Sequence, residues 1–312
     1  MNKTMCITLA LAITCTLMTT NCYAQHYCKK IKTFFTNYKL EKTDQQEFST
    51  LSVKNISIDN INGPITIKTG WKKNSLLLKT TKRARKQEDL NNIEVMVDSS
   101  KNNYLTITTN YINPKLTGSV EYELIVPTSL NIALTISGNG DAFIKDIYGT
   151  INVNTNDNIT IINTHKSVTA YTHKKGSITI ANTQGPVNVH SYHGNIYGEN
   201  ISHSFNAHSS SGKVIAYCKE VPSISAINLK TISGNIVLAL PVETNAEIHG
   251  YTEHGTLISD HPITLRPYTT QLNNSAWNKF KKAVDGTIGT GEASIALHSI
   301  NGNVKIIETK TT

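Results

Sequence analysis

The chain has 312 residues, 38% of them hydrophobic and 17% charged, with a formal net charge of +8. That apolar content supports a sizeable core and excludes a disordered chain. Aromatics make up only 7%, and the abundance of Ile, Thr, Asn and Val suits β-structure with many polar turns.

The chain opens with "MNKTMCITLALAITCTLMTTNCYAQ". Lys3 supplies a short positive region, and residues 5–18 form an apolar run too short to span a bilayer comfortably. "CYA", ending at Ala24, has small residues at both cleavage-site positions. The pattern predicts a secretory signal peptide over residues 1–24. An uncleaved anchor needs a longer run. A lipid-anchored reading through Cys22 lacks the Leu such a signal wants, because Thr19 stands there. No later stretch approaches about 18 apolar residues, so no membrane span is expected in the mature chain. The expected location is exported: periplasmic, cell-surface or secreted. Cys28 and Cys218 would remain after cleavage, in an oxidising compartment. Either they form one bridge, or Cys218 is a buried thiol and Cys28 a free one; spacing leaves both open. Residues 25–45 read as an N-terminal lead.

Next comes "ISIDNINGPITIKTGW" (56–71), followed by a basic stripe of Lys72, Lys73, Lys79, Lys82, Arg83, Arg85 and Lys86. Lys279, Lys281 and Lys282 form a second cluster. Such stripes either contact anionic surfaces electrostatically or simply keep a solvated segment soluble. No aromatics interleave them as a single-stranded nucleic-acid platform would require, so no nucleic-acid partner is expected.

The middle of the chain repeats. "GTINVNTNDNITIINTHK", "SVTAYTHKKGSITIANTQ", "GPVNVHSYHGNIYGENIS" and "HSFNAHSSSGKVIAYCKE" are successive blocks of 18 residues. Each holds two short β patterns separated by a polar gap. The first apolar position recurs at Leu134, Ile151, Val168, Val187 and Phe205, and the second at Ala142, Ile159, Ile178, Ile196 and Val214. Period-two alternation within each half marks half-buried strands and excludes helix. A fixed repeat length with matching apolar registers predicts an all-β, single-chain parallel β-helix or β-solenoid with rungs of about 18 residues. Glycines in the "SGN" and "NGN" turns at 137–139, 233–235 and 301–303 are expected to supply positive φ. The pattern runs over residues 46–309 without a convincing boundary, as one solenoid domain. One interruption, about 261–291, places Trp277, Phe280, Ala283 and Val284 at helical spacing. It predicts a short amphipathic helical insertion covering the solenoid end or flank, or binding a partner.

Three stretches carry a family resemblance: "NISIDNINGPITIKTGWKKNSLLLKTTKRA", "VEYELIVPTSLNIALTISGNGDAFI" and "GTIGTGEASIALHSINGNVKI". They resemble the bacterial putative adhesin domain family of unknown function, which is β-helical and related to the head domains of putative auto-transporter adhesins. The resemblance includes the Trp after a "GxIxI" strand and the "VP" before the regular blocks. It implies a β-solenoid with an envelope role, and it brings no catalytic residues.

Chemistry is sparse. A polysaccharide-cleaving β-helix needs clustered carboxylates. Residues 149–216 hold two acids, Asp157 and Glu199, on different parts of their blocks, and Asp141 and Asp146 lie in the block before. Nucleophile-elbow, zinc-protease and phosphate-loop patterns are absent. Nine of eleven histidines lie between 165 and 261. Three places after the first apolar position come Asn154, Tyr171, His190, His208, Lys230 and His249. His190 and His208 should therefore stack, facing out, and are the only metal candidates; imidazoles one rung apart can share an ion. Asn, Tyr and Lys complete that column, with no Asp or Cys, so no metal or other cofactor is expected. "HSYH" (190–193) reads as a turn.

The combined reading is an exported, non-catalytic envelope protein, an adhesin or other surface or periplasmic binding module presenting a polar β-ladder face to a glycan or protein surface. The alternative is a carbohydrate-active enzyme, a polysaccharide lyase or hydrolase built on a β-helix.

Overall fold

The computed structural model describes residues 38–70, 74–266 and 282–309. The expected signal peptide, Cys28, Lys72, Lys73, Trp277 and Phe280 lie outside the described residues. The fold is all-β, with two long open sheets of 12 and 13 strands. Among the described residues the one helix is α1 (Gln87–Asn91).

Alternation in the sequence becomes alternation in burial. In β10 (Ile151–Thr155), Ile151, Val153 and Thr155 are buried, while Asn152 and Asn154 are exposed. From β8 (Asn131–Ile136) to β19 (Ile236–Pro241), successive strands go to alternate sheets. The 13-stranded sheet takes β8, β10, β12 (Val168–Thr172), β14 (Val187–Ser191), β16 (Phe205–Ser209) and β18 (Ala226–Thr231). The 12-stranded sheet takes β9 (Ala142–Ile147), β11 (Ile159–Thr164), β13 (Ile178–Thr183), β15 (Ile196–Ile201), β17 (Val214–Cys218) and β19 (Ile236–Pro241). Within each sheet, each of these strands pairs in parallel with the next one named.

Apolar columns run along the inner faces. Ile132, Ile151, Val168, Val187, Phe205 and Ile227 are successive partners in one sheet. Ala142, Ile159, Ile178, Ile196, Val214 and Ile236 are successive partners in the other. All belong to one core. Leu134 does not head the first column as expected; it pairs with Val153, two positions along. Both residues are apolar and inward, so the pattern alone permits either register.

The corners correct the expected role of glycine. Gly138, Gly234 and Gly302 are absent from the positive-φ residues. Their role is closeness. A Cβ on Gly194 would lie 1.9 Å from the carbonyl oxygen of Gly176, one on Gly212 2.1 Å from that of Gly194, and one on Gly234 2.2 Å from that of Gly212. Buried hydroxyls lock the same corner. Ser209 Oγ donates to Gly194 O at 2.9 Å and accepts from Gly212 N–H at 2.8 Å, and Ser191 Oγ does the same for Gly176 and Gly194 at 2.8 Å each. Positive φ falls instead to Asp146, Asn163, Asn182 and Asn200, whose short polar side chains tolerate it.

At both ends the spatial order departs from chain order. β2 (Asn55–Asn60) and β3 (Ile65–Thr69) pair with β8 and β9, while the later β6 (Tyr104–Tyr111) and β7 (Ser119–Val126) lie outside them. β4 (Ser75–Ala84) pairs antiparallel with both β7 and β1 (Leu40–Ser49), so the 12-stranded sheet begins inside the expected lead. At the other end, the last two strands, β24 (Ala293–Ser299) and β25 (Val304–Thr309), insert between β18 and β19 on one side and β20 (Ala246–Thr252) and β21 (Leu257–Ser259) on the other.

The expected insertion helix is corrected where it is described. Ala283 and Val284 lie on β23 (Ala283–Ile288), which pairs antiparallel with β20, and β22 (Thr264–Leu265) pairs with β23 in turn. The open edge of β20 supplies backbone partners that a helix would leave unmet. Among the described residues, the cover at this end is made of strands. Cys218 is a free, buried thiol whose pKa burial pushes up to about 12, which keeps it protonated and inert.

Candidate binding face

Outward residues of the 13-stranded sheet form two straight columns. One holds Asn152, Thr169, Asn188, Asn206, Asn228 and Ala296, as successive partners. The other holds Asn154, Tyr171, His190, His208, Lys230 and His298. Tyr251 continues the second column beyond His298. His249, expected there, pairs with Ala296 and so continues the first column instead. Insertion of β24 displaces it, and chain order could not show that.

In the first column, Asn206 Nδ2 donates to Asn188 Oδ1 at 3.1 Å. The second is a ladder of rings. His190 and His208 meet as expected, their ring centroids 4.7 Å apart and their planes within 3° of parallel. Tyr171 sits edge-on to His190 at 6.1 Å, and Tyr251 lies 5.4 Å from His298. The stacking argues against a shared ion. Imidazole lone pairs lie in the ring plane, so parallel rings aim theirs side by side rather than at one point, and a zinc ion wants about 2.0–2.1 Å to each. Both Nε2 atoms are also buried, without a hydrogen-bond partner. Burial, then His190, then Lys230, hold the His208 pKa below its ordinary 6.5.

"HSYH" divides between strand and turn. His190 and Ser191 end β14, and Ser191 is fully buried in the glycine corner. Tyr192 and His193 form the bend, where His193 Nδ1 lies 2.6 Å from Ser211 Oγ. Among the described residues no group of three or more His, Cys, Asp or Glu has the arrangement to hold a metal ion.

Carboxylates converge in one place along this sheet that sequence reading missed. His249 lies 3.5 Å from Glu247 and 3.4 Å from Asp285, and Arg266 pairs with both acids. The antiparallel return of β23 brings Asp285 there, and no spacing rule reveals it. Tyr197 and Tyr217 on the other sheet were also missed, beside Glu199, which the sequence shows only as an isolated acid; their outward positions are legible once the register is known.

Three described residues of the basic stripe are engaged within the fold. Arg83 pairs with Glu41 and Glu121, Lys79 lies 3.2 Å from Glu123, and Lys82 Nζ donates to Ile93 O at 2.7 Å. Arg85 and Lys86 remain exposed. No described helix is long and apolar enough to cross a membrane.

No family model matches the chain, and no curated protein matches it. Solved structures do. A putative adhesin from Bacteroides fragilis is 14% identical, with a TM-score of 0.43, over 86% of this chain and 97% of that one. A putative cell adhesion protein from Clostridium sporogenes is 10% identical, TM-score 0.28, over 86% and 100%. A putative lipid binding protein from Parabacteroides distasonis is 10% identical, TM-score 0.36, over 86% and 97%. The chain is thus similar to putative adhesins, as its motifs imply. At these identities and scores the likeness carries no activity and no ligand.

Proposed function

We propose that the chain is an exported, non-catalytic binding module of the cell envelope. In this reading residues 1–24 are a removed leader and 46–309 form a single β-solenoid. Its working part is the outer face of the 13-stranded sheet, offered to a glycan or protein surface. The observation that carries the reading is the pair of straight columns. Asn, Thr, Tyr and His recur there strand after strand, giving uncharged donors and acceptors at the strand spacing of about 4.7–4.9 Å. A regular array of amide and hydroxyl groups suits a repetitive or flat polar partner. Between β10 and β18 both columns lack carboxylates, which removes the acid–base pair that a lyase or hydrolase needs.

The enzyme alternative has one observation in its favour, the Glu247, His249 and Asp285 cluster. Arg266 pairs with both carboxylates, so both are already engaged in ion pairs within the fold. The test is incubation of the purified chain with a panel of envelope glycans, scoring retention and cleavage separately. Retention without cleavage, weakened by Asn188→Ala together with Asn206→Ala, is the expected result. Cleavage abolished by Glu247→Gln would replace this reading with the enzymatic one.

A further inference from the structure

The outer face of the 12-stranded sheet carries a second ladder that ends abruptly. Asp146, Asn163, Asn182 and Asn200 are left-handed residues with φ of 61, 58, 56 and 52°. Each asparagine amide donates to the residue before it. Asn163 Nδ2 reaches Asp146 Oδ1 at 2.6 Å, Asn182 reaches Asn163 at 2.9 Å, and Asn200 reaches Asn182 at 2.7 Å. The next strand has no such residue. β15 pairs with β17 through Gly198↔Ala216 and then Ile201↔Cys218, a register shift that drops the extra residue. Asn200 Oδ1 is therefore the ladder's terminal carbonyl, with no amide from β17 to accept.

The step leaves a groove of about 620 Å³, inside the range of roughly 300–1,000 Å³ typical of small-molecule sites. Tyr197 and Tyr217 line it, their ring centroids 5.8 Å apart and tilted by 55°. Glu199 and Asn200 add acceptors, and Lys219 stands exposed at the rim. The two tyrosines are diagonal neighbours, since Tyr197 pairs with Ile215 and Tyr217 lies two positions on.

We propose that this groove binds a pyranose unit of a saccharide. Its C–H face would lie on Tyr197 and Tyr217, and its hydroxyl or amino groups would donate to Glu199 and Asn200 Oδ1. Aromatic faces carry a negative quadrupole that attracts C–H groups. A carboxylate and an amide carbonyl only accept hydrogen bonds, so the ligand must bring donors. A hydrocarbon chain would strip water from Glu199 and return nothing, and an anionic ligand would meet its charge. A pyranose has both the apolar face and the donor-rich edge. The site lies on the sheet opposite the ladder face, and the proposal stands whether or not that face binds a surface.

The test titrates the purified chain with maltotriose and with a glucosamine trisaccharide, read by calorimetry or ligand-observed NMR. At least one should bind saturably. Tyr217→Ala should weaken that binding by about tenfold, Tyr217→Phe by no more than about threefold. Tyr104→Ala, an exposed tyrosine outside both the groove and the two outer columns, should leave it unchanged. Should Tyr217→Ala fail to fold, Glu199→Gln decides, with an expected loss of about threefold or more. No saturable binding of either sugar up to about 20 mM, or full binding by the deciding variant, overturns the proposal.

Discussion

Val187 and Asn188 are chain neighbours that face opposite ways. Val187 is 3% exposed and pairs with Phe205 in the apolar column, while Asn188 is exposed and accepts a hydrogen bond from Asn206. Val187→Asp should therefore cost about 3 kcal/mol or more, through an unpaired buried charge. Asn188→Asp keeps an acceptor in place and should cost under about 1 kcal/mol. Equal losses in denaturant midpoint would show the register to be wrong. Gly194 tests the corner. Its missing Cβ makes room for the Gly176 carbonyl, so Gly194→Ala should cost at least about 1–3 kcal/mol by overpacking; a neutral alanine would mean that the corner yields. His208 tests the ring ladder. Burial and its charged neighbours lower its folded pKa from 6.5. Below that value the unfolded chain takes up a proton that the folded chain resists, so stability is lost as pH falls. His208→Gln should then lose less melting temperature than the wild type between about pH 7 and pH 5. Parallel pH profiles for the two proteins would remove His208 from the account.

At the scale of elements, the strands β24 and β25 matter beyond their length. They pair with β18 and β19 on one side and with β20 and β21 on the other. Ile295, Leu297, Val304 and Ile306 are all buried. An outermost strand can fray at little cost, but an interior pair holds its neighbours together. Deleting residues 292–312 should thus abolish cooperative unfolding of the region from β18 onward and open it to protease. A truncated chain that keeps the wild-type melting temperature and digestion pattern would contradict the interior placement. β22 and β23, by contrast, shield an edge. β23 pairs antiparallel on β20, and β22 on β23, which blocks the open backbone of β20 that would otherwise recruit a second chain.

For the molecule as a whole, net charge is a poor guide to what it touches. The formal charge is +8, yet Arg83, Lys79 and Lys82 are engaged within the fold. The ladder face offers mainly uncharged groups, apart from Lys230. Retention on a neutral glycan surface should accordingly persist at about 0.5 M salt, where charge–charge attraction is screened within a few ångströms. Elution by salt alone would assign binding to the basic residues instead.

The sequence by itself determined the class and much of the register. Alternation such as Ile151-Asn152-Val153-Asn154 admits one structure, because a strand's side chains alternate faces and a slip would bury asparagine. The meeting of His190 and His208 was legible for the same reason: both stand three places after a core residue. The tertiary structure alone decided what depends on which strands become neighbours. Leu134 could be two residues out of register, since a shift by two keeps every side chain on its face. Chain order gave no sign that β24 would slip between β18 and β20, which moved His249 out of the ring column and put His298 and Tyr251 in. Nor does composition distinguish a glycine that must turn from one that must make room. Gly194 and Gly212 are needed for contacts with residues 18 places earlier, and positive φ fell to asparagines whose side chains bond to the layer before. Local pattern reports which face a residue takes; the partner across the ladder is set by long-range pairing, which a local pattern does not contain.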